Sequence, residues 1–109
     1  MNLEELLLKS NSKAIFLINE DGDTIDFYPK KNDLGNLQDK IIAFNATVFN
    51  MSSHFLKNFL NSDLKVMVLR SDDKNILLIK HNEYILSFLS DKNINIGLLE
   101  MILKKEFNH

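Results

Sequence analysis

Cysteine is absent from this 109-residue chain, which removes disulfides, thiol nucleophiles and thiolate metal sites together. Glycine is scarce, three in all, and none of the three builds a phosphate-cradling loop or a nucleophile elbow beside a Ser or Thr. Neither charge sign dominates: thirteen Lys and Arg against fifteen Asp and Glu leave a net charge of -2. No overall basic field therefore argues for nucleic acid or an anionic membrane. No apolar run approaches the roughly 20 residues that span a bilayer. The N-terminus carries Glu4 and Glu5 ahead of only three consecutive leucines, so it lacks the basic start and apolar core of a signal peptide. The expectation is a cytoplasmic protein with no nucleic-acid partner and no direct membrane insertion.

What is present is ordinary for a globular chain: 45% hydrophobic and 26% charged residues with a mean hydropathy of -0.12. One domain over residues 1–109 is expected, long enough to bury roughly two thirds of the surface its unfolded chain exposes.

Leu3, Leu6 and Leu7 form an i, i+3, i+4 stripe on a short helix that Ser10 to Ser12 should end. Ala14 to Ile18 is an uninterrupted apolar strand. Asp21-Gly22 then marks a hairpin, because glycine accepts the positive φ of a tight turn. Thr24 to Tyr28 alternates, and Pro29, the single proline, closes it as suits a sheet edge. After Lys30 to Asn32, Asp33 is placed to cap a long helix running to about Leu60. Leu64 to Arg70, Asn75 to Lys80 and Tyr84 to Ser90 follow with links too short for anything but an antiparallel meander. A last helix is expected from about Asn95 to Phe107, with Ile96, Leu99, Ile102 and Leu103 inward.

Val66 to Leu69, Ile76 to Ile79 and Ile15 to Ile18 are apolar at consecutive positions instead of alternating. Strands of that kind are buried on both faces. The expected fold class is therefore α/β in the α+β sense: αββαβββα, a five-stranded antiparallel sheet with the long helix on one face and the two terminal helices on the other.

The long helix is too apolar for one sheet face. Leu34, Leu37, Ile41, Phe44, Val48, Met51, Phe55 and Phe59 fall on one side, and Ile42, Ala46, Phe49, Leu56 and Leu60 form a second row beside it. Together they span roughly 220°, against the 100° or somewhat more that a surface helix buries. The first row is expected to meet the sheet. The second, rimmed by Gln38, Asp39, Asn50 and Lys57, then needs a partner chain. Leu64, Val66, Val68 and Arg70 belong to the strand next to the crossover, whose bare edge pairing through a two-fold axis would cover. Ile42, Ala46, Phe49, Leu56, Leu60, Leu64, Val66, Val68 and Arg70 are thus the expected dimer interface.

Catalytic, metal and cofactor sites are not expected. Asn19, Asp21 and Asp23 resemble the start of a calcium loop, yet the sixth position is Thr24 and the twelfth Lys30, where Gly and Glu belong. His54, His81 and His109 are scattered, and no carboxylate pair stands out for acid–base work. Arg70, the only arginine, is read as a strand end in preference to an arginine finger.

Two motifs connect this arrangement to a known family. Ala14-Ile15-Phe16-Leu17-Ile18-Asn19-Glu20-Asp21-Gly22 resembles the first strand and Asp-Gly hairpin of the roadblock and dynein-light-chain family. Asp91-Lys92-Asn93-Ile94-Asn95-Ile96-Gly97-Leu98-Leu99 is similar to that family's Asn-Leu-Gly-Leu entry into its last helix. With the element order, the resemblance covers nearly the whole chain. It implies a profilin-like, non-enzymatic homodimer, or a pair with another roadblock chain, in which long helices pack together and third strands join edge to edge. It also implies a scaffold or regulator of a Ras-like small GTPase; the alternative is an interaction or sensor module of related fold with a non-GTPase partner. The chain departs from the family in placing Phe at 44, 49, 55 and 59 of the long helix, where small Ala and Gly residues are frequent.

Overall fold

The computed structural model describes residues 2–91 together with 97 and 104. The expected last helix therefore lies outside the described residues, apart from Gly97 and Lys104.

Helix α1, Leu3–Ser10, starts where the Asn2 side-chain oxygen accepts the Glu5 N–H at 3.1 Å and ends at Asn11 in the left-handed conformation. Both are ways of satisfying backbone groups that a helix end leaves orphaned. Strand β1, Ala14–Asn19, turns into β2, Thr24–Tyr28. Within the turn Asn19 Oδ1 accepts the N–H groups of Asp21 (3.0 Å) and Asp23 (2.8 Å), while Gly22 takes φ +88°. The side chain that looked like a calcium ligand holds the hairpin together.

Helix α2 spans Leu37–Leu60, roughly 36 Å at 1.5 Å per residue. It starts later than expected, and Asp33 is not its cap. The Asp33 carboxylate pairs with Lys13 at 3.2 Å, and Asn32 bonds the Leu34 N–H and Gln38 Oε1, so residues 32–36 close into a turn first. Asn61, left-handed at φ 50°, ends the helix with its N–H on the Leu56 carbonyl. Strands β3 (Val66–Arg70), β4 (Asn75–His81) and β5 (Tyr84–Ser90) complete one antiparallel sheet of order β2-β1-β5-β4-β3. The meander is as expected, with α2 as the crossover that carries the chain to the far edge.

Alternate residues divide the sheet between two cores. Ile15, Leu77, Ile79, Leu86 and Phe88 pack with Leu3 and Leu6 of α1 on one face. Phe16, Ile18, Leu78, Ile85 and Leu89 pack with Ile42, Ala46 and Phe49 of α2 on the other. Burial on both faces is what consecutive apolar residues in the strands required.

One polar contact sits inside the second core. Asn45 is fully buried, and its Nδ2 donates to the Ser87 hydroxyl at 2.6 Å, while its Oδ1 has no hydrogen-bond partner. Ser87→Ala strips Asn45 of this bond and is expected to cost about 1–3 kcal/mol of stability, the penalty of a buried polar group left unpaired. Urea denaturation measures it. The double change Asn45→Leu with Ser87→Ala should recover part of the loss, since neither polar group then remains.

Candidate interaction surface

The sheet takes only part of the apolar surface of α2. Ile42, Asn45, Ala46 and Phe49 are its buried residues, and beyond Phe49 none is buried. A second stripe faces outward: Leu37 and Phe44 are half exposed, Met51 68%, Phe55 54% and Phe59 74%. Ile41 and Val48, half buried, lie between the two stripes.

The faces are therefore the reverse of those expected. Ile42, Ala46 and Phe49, assigned to a partner, are consumed by the chain's own core. Most of the row assigned to the sheet is the exposed one. Periodicity showed an apolar arc covering two faces, but it carries no information on which half meets the sheet. The sheet packs against the row of Ile42, Ala46 and Phe49, and Asn45, carried inside with them, is met in part by Ser87 on β5. Of the remaining expected residues, Leu56 is half buried, Leu60 is exposed at the helix end, and Leu64 is half buried against the α2-side core. Val66 and Val68 are half buried toward α1, and Arg70 is exposed at the end of β3.

Two features of the sequence mark the exposed stripe. Leu37, Ile41, Phe44, Val48, Met51 and Phe55 recur at spacings of four and three, the 3.5-residue period of helices that pack along one another. Residues 41–56 also contain no Asp, Glu, Lys or Arg, although Lys and Glu are the usual covering of an exposed helix face. At the C-terminal end Asn50, Met51, His54, Phe55 and Phe59 line a shallow depression of about 580 Å³. The Phe55 and Phe59 rings stack there with centroids 5.1 Å apart.

The two sheet edges differ. On β2 the Phe27 N–H donates to the Asp26 carboxylate at 2.8 Å, and the same oxygen takes Lys30 Nζ at 2.6 Å. The Lys30 bond and then the Phe27 N–H hold the Asp26 carboxyl below the usual Asp range. Lys30 also lies 4.2 Å over the Phe27 ring. A local charged pair thus occupies that edge, a recognised protection against edge pairing. On β3 the Lys80 N–H donates to the Lys65 carbonyl at 2.9 Å, which sets the antiparallel alternation. Lys65, Met67 and Leu69 face β4, and Val66 and Val68 turn their backbone groups away from the sheet.

No protein-family model and no curated protein matches the sequence. Solved structures do match the fold. Myxococcus xanthus MglB aligns with a TM-score of 0.79 at 14% identity, over 95% of this chain and 84% of that chain. A Roadblock/LC7 domain from Streptomyces avermitilis aligns with a TM-score of 0.77 at 14% identity, over 94% and 89%. This is a roadblock fold. A further roadblock-type structure, MglB with a tetrameric arrangement, aligns with a TM-score of 0.73 at 16% identity, over 94% of this chain and 77% of that one. At such identities the roadblock backbone is what is shared. The Phe-rich stripe and the uncharged middle of α2 are features of this sequence that the shared backbone does not require.

Proposed function

We propose that the protein is a non-catalytic homodimeric scaffold that binds and regulates a Ras-like small GTPase. The observation that carries the pairing is the uncharged, 3.5-periodic stripe of α2, exposed beside a β3 edge that pairs with no further strand among the described residues. At roughly 150–250 Å² per aromatic side chain, the exposed parts of Phe44, Phe55 and Phe59 with those of Leu37 and Met51 offer roughly 500–700 Å² per protomer, near the lower end of the scale of a stable interface. A second copy presents the same spacing and equally few charges, so a two-fold pair leaves no buried charge unmatched. The tetrameric arrangement named for one structural relative supports self-association within this fold.

The GTPase partner rests on the roadblock resemblance. It is tested by passing Ras-like GTPases from the same genome, loaded with GDP or a non-hydrolysable GTP analogue, over the immobilised protein. Retention in one nucleotide state, with the bound GTPase still hydrolysing through its own residues, is the expected result. Retention of none in either state overturns the GTPase reading and leaves an interaction module with another partner.

A further inference from the structure

We propose that residues 51–60 of α2 are a separate unit of low stability, which opens while the rest of the domain stays folded and thereby gates the apolar depression. What closes the unit rests on the pairing reading above; the opening itself does not. Along the inward row of α2, Ile42, Asn45, Ala46 and Phe49 are buried, but the same row continues as Ser52, Ser53 and Leu56, half buried, to Leu60, exposed. The helix thus runs roughly 16 Å past its last buried residue. Its ties to the rest of the chain there are few among the described residues. Asn50 Nδ2 donates to the Glu20 carbonyl at 2.7 Å where the unit begins. At the far end the Asn61 and Ser62 N–H groups close on the Leu56 carbonyl, and Lys57 reaches Asp63 at 3.6 Å. Leu64 then returns to the α2-side core. The stretch between Phe49 and Leu64 is anchored at both ends, so it can open as a loop without moving the sheet.

The local sequence does little to hold this end closed. Six of its ten residues, Ser52, Ser53, His54, Phe55, Asn58 and Phe59, form helix less readily than Leu, Met or Lys. Lys57 is the only charged residue from 51 to 60, so no ion pair one turn apart supports the segment. Ten such residues fall short of the roughly 12–15 at which even a favourable helix is marginal by itself. Packing has to supply the rest, and within the single chain the Phe55 and Phe59 rings find mainly each other, with centroids 5.1 Å apart. The depression depends on this same segment: Met51, His54, Phe55 and Phe59 line it, with Asn50 at the hinge. Opening dismantles the depression and closing forms it. A second copy covering Phe55 and Phe59 binds only the closed form, so its affinity falls in proportion to the open fraction, and pairing in turn holds the segment closed by mass action.

The test is amide hydrogen exchange of the full chain read by mass spectrometry, first diluted until it sediments as a single chain of 12.6 kDa and then at about 100 μM. In the dilute chain the amides of 51–60 should exchange at least about 100-fold faster than those of 42–49. Ser87→Ala, which removes the bond to Asn45 in the buried part of α2, should speed exchange of 42–49 by about 10- to 100-fold. It should leave 51–60 at the native rate, because opening of the helix end does not pass through the buried part. Equal rates in the two segments, or equal acceleration of both by Ser87→Ala, means that α2 opens as one unit and overturns the proposal. On pairing at the higher concentration, exchange of 51–60 should slow by at least about tenfold. A chain that pairs with 51–60 still exchanging at the dilute rate overturns the gating. A chain that stays single at both concentrations, with 51–60 exchanging fast at both, upholds the separate unit and overturns the pairing reading.

Discussion

The double substitution Phe55→Asp with Phe59→Asp is expected to leave a folded monomer close to the 12.6 kDa of a single chain where the native chain pairs. The two rings contribute little to the fold of the single chain: both are more than half exposed and touch each other on the open side of α2. Their loss should move monomer stability by no more than about 0.5–1 kcal/mol, the usual range for surface positions. In the pair the balance differs. Each carboxylate brought into an apolar seam without a partner costs several kcal/mol, and the two-fold presents four. Self-association should weaken by at least about 1,000-fold, since every 1.4 kcal/mol is a factor of ten. Light scattering at micromolar concentration reads the outcome directly. Asp39→Lys, on the side of α2 away from the stripe, should leave the mass of the pair unchanged. A double variant that pairs like the native chain contradicts the placement of the interface.

Phe49→Ala should destabilise the domain by about 3–5 kcal/mol, the range for truncating a buried aromatic ring. Phe49 is 1% exposed and packs with Phe16, Ile18 and Leu78 beneath α2, so its removal leaves a cavity between helix and sheet. Phe44→Ala, the same chemistry less than two turns away, should cost under about 1 kcal/mol because that ring is 55% exposed. Against a total of about 5–15 kcal/mol for a domain, the first change brings the fold near its limit and the second does not. Urea titration is best done in the background of the Phe55→Asp, Phe59→Asp variant, where pairing adds no concentration-dependent contribution. Equal losses for the two alanine variants contradict the faces assigned to α2. Association reverses the ranking: Phe44→Ala should weaken the pair, and Phe49→Ala should act on it only through the fold.

The fold was legible because its signals are local. Asn19 to Asp23 had to turn, since Asp-Gly accepts the positive φ and Asn19 holds the loop. Three strands separated by links such as Ser71 to Lys74 had to be neighbours, because so short a connection reaches no farther. The helix start was misjudged where a local signal meets a distant partner. Asp33 is a good cap in isolation, but Lys13, twenty positions earlier in the chain, takes its carboxylate. The candidate site was legible as a surplus: α2 carries more apolar surface than one sheet covers, whichever way it is turned. Spacings of four and three run through Leu37, Phe44, Met51 and Phe55, with no charge between Lys40 and Lys57, yet that row was expected against the sheet and is the one found exposed. Those are signals of pattern and absence, weaker to the eye than a cluster of Phe.

By itself the sequence determined the order of elements from α1 to β5, the two-sided burial of the sheet and the existence of a surplus on α2, each a consequence of spacing along one chain. Only the tertiary structure decided which row of α2 is inside. That choice depends on how Ile42, Ala46 and Phe49 pack against strands far away in the chain, with Ser87 placed to meet the Asn45 amide they carry inside. It also decided how the two edges differ, because Asp26 and Lys30 occupy β2 while β3 is the last strand among the described residues, with the backbone groups of Val66 and Val68 turned away from β4. A helical period records how much apolar surface there is; only packing against a particular sheet sets the direction in which it faces.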